Sequence, residues 1–149
     1  MYPPTRHELG GTMTGTTPDA ATTVRRLLEA FLAGDMDTLK SCADDEIEWN
    51  PAQHNPVITR QYRGREQWLN GAVAAVAAGF DGFRFDIEQV HGCGGVAVTE
   101  LHYHGTVKSN GRPFDVTAAV VWEVRDGKVV RVREYMDTWE AMNAFQPGS

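Results

Sequence analysis

PFDVTAAVVWEVRDGKVVRVREYM, residues 113–136, decides how this chain folds. Two β-branched, alternating runs flank Asp126-Gly127, a pair whose readiness to adopt positive φ favours a tight hairpin turn. In the first run Phe114, Val116, Ala118, Val120, Trp122 and Val124 share one face, while Asp115, Thr117, Ala119, Val121 and Glu123 share the other. The apolar set must be covered. In the second run Val132, Glu134 and Met136 alternate with Arg131, Arg133 and Tyr135, so charge again sets the orientation and turns Val132 and Met136 inward. Glu134 is carried inward with them. A carboxylate there is costly unless it is hydrogen-bonded or takes up a proton, which singles it out as a candidate functional group.

Upstream, FRFDIEQVH (83–91) and GVAVTELHYHGTV (95–107) have the same character and are separated by Gly-containing turns. Four consecutive antiparallel strands are therefore expected. Downstream, TWEAMNAF reads as a short helix, with Asp137 and Glu140 at capping-box spacing. The N-terminal half is helical. From Pro18 to Gly34 the residues Val24, Leu27, Leu28, Phe31 and Leu32 fall on one helical face, with Thr17 as N-cap, and Asp37 to Cys42 adds a short helical turn. Glu46 to Asn50 reads as a short strand stopped by Pro51, followed by a long loop to Gly64, which at that length can serve as a lid. Arg65 to Ala78 reads as a second long helix ended by Gly79. Helices first and an antiparallel sheet after define an α+β fold.

With 149 residues there is room for one core of ordinary size, placed at residues 18–146. Met1 to Thr17, rich in Thr, Gly and Pro, reads as a disordered tail within which Met13 offers a second start, and it lacks the apolar segment of a secretory signal. No apolar run approaches the ~18 residues that cross a bilayer. A net charge of −6 without a basic stripe argues against nucleic acid as a partner. Cys42 and Cys93 lack the spacing of a zinc or redox pair, and a reducing cytoplasm is the expected location.

Gly34-Asp35, ADDEIEWNP from Ala43, YRGREQ from Tyr62 and RDGKVVRVREYMD from Arg125, in that order and spacing, resemble the nuclear-transport-factor-2-like superfamily. Within it the SnoaL-like polyketide cyclases and the limonene epoxide hydrolases look closest. The resemblance covers Pro18 to Phe145 and implies a cone-shaped curved sheet covered by N-terminal helices, enclosing a deep apolar pocket, and pairing into a homodimer. It places Trp68, Leu101, Val116, Ala118, Val120 and Met136 around that pocket. Limonene epoxide hydrolases position a water with an aspartate on the last strand and a Tyr and Asn two apart on the first. Those positions here are Glu134, Glu48 and Asn50. Their Arg and Asp on a middle strand would match Leu101 and Tyr103, so that constellation is incomplete. The ketosteroid-isomerase base and oxyanion groups would match Asn50, Val120 and Leu27, which supply none of the three functions. A SnoaL-like cyclase asks only for one pocket carboxylic acid, and Glu134 supplies it.

The expected chemistry is cofactor-free acid–base catalysis on an apolar oxygenated small molecule, by cyclisation, epoxide opening or dehydration. Glu134 transfers the proton, while Glu48, Asn50 and Tyr103 orient the reacting oxygen across the pocket. The alternatives are a noncatalytic binding module, with Glu134 as a hydrogen-bond anchor, and a dimeric regulatory or stress protein of the same fold. Trp68 and Trp122 are read as packing and His54 as a solvated loop residue. Glu100, His102 and His104 superficially resemble a metal-binding stripe, but alternation puts them opposite Tyr103, and no third convergent ligand with an oriented second layer is evident. They are read as polar sheet surface or dimer contact, and no metal or cofactor is expected.

Overall fold

The computed structural model describes residues 19–147. Helix α1, Ala20–Ala33, buries Val24, Leu27 and Leu28 and ends at Gly34, whose φ of 71° closes it. Asp19 caps its start, with its carboxylate accepting the Thr22 N–H at 2.9 Å. The expected cap, Thr17, and the rest of the N-terminal segment lie outside the described residues. Helix α2, Met36–Ser41, follows with Asp35 as its cap.

Strand β1, Ala43–Asn50, starts three residues before the expected Glu46. The long loop ends in a two-residue strand β2, Tyr62–Arg63, paired antiparallel with β1. Helix α3 then runs over residues 65–79, with its central Trp68–Val73 wound as π-helix rather than the continuous α-helix expected. Asn70 and Gly71, both poor helix formers, lie in this widened turn, and the Tyr62 ring rests where a side chain on Gly71 would stand.

Strands β3 (Phe80–Cys93), β4 (Val96–Val107), β5 (Pro113–Arg125) and β6 (Lys128–Met136) are the four expected from the sequence, with β3 extended at both ends. They form an antiparallel run, and β1 joins the far side of β6 in parallel, giving the sheet order β2-β1-β6-β5-β4-β3. The last strand is therefore central. Irregular register in β3, β1 and β5 bends the sheet, which curls without closing. Asp126 and Gly127 take φ of 53° and 75° in the tightest turn. Helix α4, Thr138–Ala144, packs back on β5, with Asp137 accepting the Glu140 N–H at 3.1 Å.

The covered face is the one expected. Phe114, Val116, Ala118, Val120, Trp122 and Val132 are buried. Helices α1 and α3 lie over this concave face, and the hydrophobic core fills the space between. Among the described residues no helix is long and apolar enough to cross a membrane.

Candidate functional site

The two helices do not fill the concavity completely. A cavity of about 100 Å³ remains, several times what one water needs, walled by α1 through Leu27, Leu28 and Phe31 and by α3 through Trp68, Ala72, Val73 and Val76. The sheet contributes Trp49, Phe85, Leu101, Val120, Trp122 and Met136. Against this apolar lining stand few polar side chains: Glu134, Tyr103 and Asn55.

Glu134, 6% exposed, lies on central strand β6, where strict alternation turns it onto the covered face beside Val120 of β5. Its Oε1 accepts the Ala52 N–H and the Asn55 side-chain amide, both at 3.0 Å, and its Oε2 accepts the Tyr103 hydroxyl at 2.7 Å. Three donors hold the carboxylate away from bulk water. A carboxylate has about four acceptor sites, so one site on Oε2 stays uncommitted, next to the Tyr103 oxygen. Burial and the Glu134 charge push the Tyr103 phenol well above its usual range, so it remains a proton-bearing donor.

Asn55 is doubly employed. While its amide nitrogen serves Glu134, its Oδ1 accepts the N–H groups of Val57 and Ile58, each at 2.9 Å. The loop after β1 is thus strapped over the carboxylate instead of hanging as a free lid. Trp49 stacks on Trp68 at 5.6 Å between centroids and meets Trp122 edge-on at 6.3 Å. The Trp122 indole donates to Thr99 Oγ1 at 3.0 Å, whereas the buried Trp49 N–H has no partner. An orphaned buried donor costs on the order of 1–3 kcal/mol, and this one is closed off from the cavity as well as from solvent.

The structure brings Glu134 and Tyr103 together with the pocket residues Trp68, Leu101, Val120 and Met136. It does not bring Glu48 and Asn50 to them, and the expectation that they meet Glu134 across the pocket is corrected. Ile47 and Trp49 take the inward phase of β1, so Glu48 and Asn50 face the other way. There the Asn50 amide donates to Glu48 at 2.9 Å, and Arg63 and Arg131 each approach Glu48 at 3.2 Å. The Asn50 amide, then these two guanidiniums, hold the Glu48 carboxyl below its usual range, which suits an ion-pair anchor better than a proton donor. Asn50 and His54 line a separate open cleft under the loop.

Val116 and Ala118 lie on the covered face but do not line the cavity. Ala118 sits between Leu101 and Met136 in the sheet, where its single methyl falls short of the space their longer chains reach. Val116 is packed within the core. Trp49 and Asn55 are the polar pocket residues that the sequence reading missed. Trp49 was within reach, since Ile47 and Trp49 are the apolar members of an otherwise polar alternation. Asn55, in an aperiodic loop, carries no such signal.

A curved, unclosed sheet capped by helices around an apolar hollow with one buried carboxylate defines a pocket protein of the nuclear-transport-factor-2-like fold. The sequence matches the SnoaL-like domain over residues 24–132, and the chain belongs to that family. It is similar to a nuclear-transport-factor-2-like protein from Burkholderia thailandensis E264, with 24% identity, a TM-score of 0.82, and coverage of 87% of this chain and 99% of that one. An LEH-like epoxide hydrolase of M. tuberculosis aligns with a TM-score of 0.66 at 21% identity, over 86% of this chain and 90% of that one. A candidate SnoaL-like polyketide cyclase from Jannaschia sp. CCS1 aligns with a TM-score of 0.75 at 20% identity, over 94% and 100% respectively. At these identities the likeness carries the fold and not the reaction. No curated protein matches the sequence.

Proposed function

We propose that this protein is a cofactor-free enzyme that moves a proton on an apolar, oxygenated small molecule of polyketide or terpenoid type. The observation that carries the reading is the buried Glu134, lining an apolar cavity with one acceptor site free beside the Tyr103 hydroxyl. In the forward step Oε2 takes a proton from a substrate C–H or O–H, or from a water bound beside it. The negative charge left on the substrate oxygen calls for a donor at the cavity wall, and the buried, unpartnered Trp49 N–H would have to turn toward the cavity to serve as one. Tyr103 stays protonated and fixes the carboxylate, and the proton returns from Glu134 to the product. Cyclisation, epoxide opening and dehydration share this step. Cyclase and epoxide-hydrolase names among the similar structures favour this range of reactions.

A second reading is favoured by one observation: three of Glu134's acceptor sites already serve the protein. On that reading the pocket only sequesters its ligand. Glu134→Gln separates the two. Its amide oxygen can keep accepting from Ala52 and Asn55, and its NH2 can donate to the Tyr103 oxygen, so the fold is retained while the base is lost. Native protein and variant are incubated with a panel of polyketide and terpenoid ketones, epoxides and alcohols, and products are followed by mass spectrometry. Turnover by the native chain, reduced about 10²–10⁴-fold in the variant, is the expected result. Binding by both with turnover by neither would assign the pocket to a binding module.

A further inference from the structure

On the convex side of the sheet, opposite the cavity, the strand phase that buries Tyr103 sends His102 and His104 outward. Their rings stack at 4.4 Å between centroids. Asp86 of β3 pairs in register with His102 but hydrogen-bonds to His104 Nε2 at 2.8 Å. Asp115 of β5 pairs in register with His104 but contacts His102 Nε2. Two imidazoles are thus crossed diagonally by two carboxylates drawn from the strands on either side. One ligand atom each from Asp86, His102 and His104 lies within 4.8 Å of the others.

We propose that Asp86, His102 and His104, with Asp115 as the fourth group, form a binding site for a divalent transition ion of the zinc type. Two nitrogens and two carboxylate oxygens are a donor set that zinc accepts tetrahedrally, at about 2.0–2.2 Å from each. Neutral imidazoles and two carboxylates sum to a charge of −2, which the ion balances. Asp86, His102 and His104 already cluster, and Asp115, in contact with His102 alone, completes the set by rotating its side chain toward them. That rotation is open to it, because both carboxylates are about two-thirds exposed and the imidazoles partly so, at 63% and 67% against 21% and 30%. Glu100, on the same face, is occupied with His91 at 2.8 Å and adds to the negative field. Arg84, in register with His104, places a cation on that face beside the cluster. A bound ion would clip β3, β4 and β5 together on the face away from Glu134, so the site is independent of the proposed chemistry.

The test is a calorimetric titration of the untagged full chain with Zn²⁺ alone at neutral pH, repeated for Asp86→Asn and for His104→Gln. Saturable uptake of one ion per chain is expected, with affinity lowered roughly tenfold or more in each variant. Thermal melting should rise with Zn²⁺ for the native chain and much less for the variants, whose unchanged circular dichroism would report an intact fold. Absence of saturable uptake would overturn the proposal. So would uptake that neither substitution weakens, because the ion would then sit elsewhere.

Discussion

The hydroxyl of Tyr103 makes a 2.7 Å bond to a buried carboxylate, and that contact has consequences on both sides of it. Removing it with Tyr103→Phe leaves Glu134 with two donors in an apolar setting, a loss of about 1.5–3 kcal/mol for a bond to a charged group. Urea unfolding at neutral pH checks the magnitude. The pH sign follows from the raised phenol. The folded state holds its proton where the unfolded phenol, near pH 10, gives it up, so this stabilisation is full below about pH 10 and is lost as pH rises further. The native chain should lose stability above pH 10 more steeply than Tyr103→Phe, and an equal decline would show that the phenol is not shielded. At this scale alternation made Glu134 and Tyr103 legible, because period-2 patterning fixes a face whatever the side chain. Asn55 was not legible: its position depends on a loop conformation set by the very carboxylate it binds.

Among the elements, the parallel contact between β1 and β6 is what no local pattern announces. Hairpin turns signal antiparallel neighbours, but β1 reaches its partner across some eighty residues, and its register is visible only once the sheet is assembled. Reading Glu48 and Asn50 by resemblance to a pocket pair overrode the plainer signal of Ile47 and Trp49, which bury themselves. The π-wound centre of α3, where the Tyr62 ring lies against Gly71, was equally hidden, because no local pattern marks that long-range approach. Glu48 instead ties the β1 edge to β6 through Arg131 and to β2 through Arg63. Its carboxyl is depressed in the folded state, so the stabilisation is present above the ordinary glutamate range, near pH 4.3, and lost as pH falls through the lower folded value. Glu48→Gln should therefore be less stable than the native chain at pH 7, and the gap between their urea midpoints should close as pH falls below 4. A pH-independent gap would mean that the amide network, not the charge, supplies the tie.

For the molecule as a whole, the cavity sets stability against use. An apolar hollow forfeits the dispersion contacts its wall would otherwise make, and proteins keep such spaces where activity needs them. Ala72, buried on α3 and part of the wall, is the position at which this can be measured. Ala72→Leu places three more carbons into the hollow from a helix that favours leucine nearly as well as alanine, and they gain burial without displacing a polar group. If the space is free, the variant should be more stable by about 1–2 kcal/mol, each kcal/mol adding roughly 2–4 °C to Tm, while uptake of a small apolar fluorophore such as N-phenyl-1-naphthylamine falls. A lower Tm with unchanged uptake would mean that the wall around Ala72 is already closed and that the fluorophore binds outside this cavity. The functional proposal needs the first outcome, because a proton transferred to Glu134 must come from something that fits beside it.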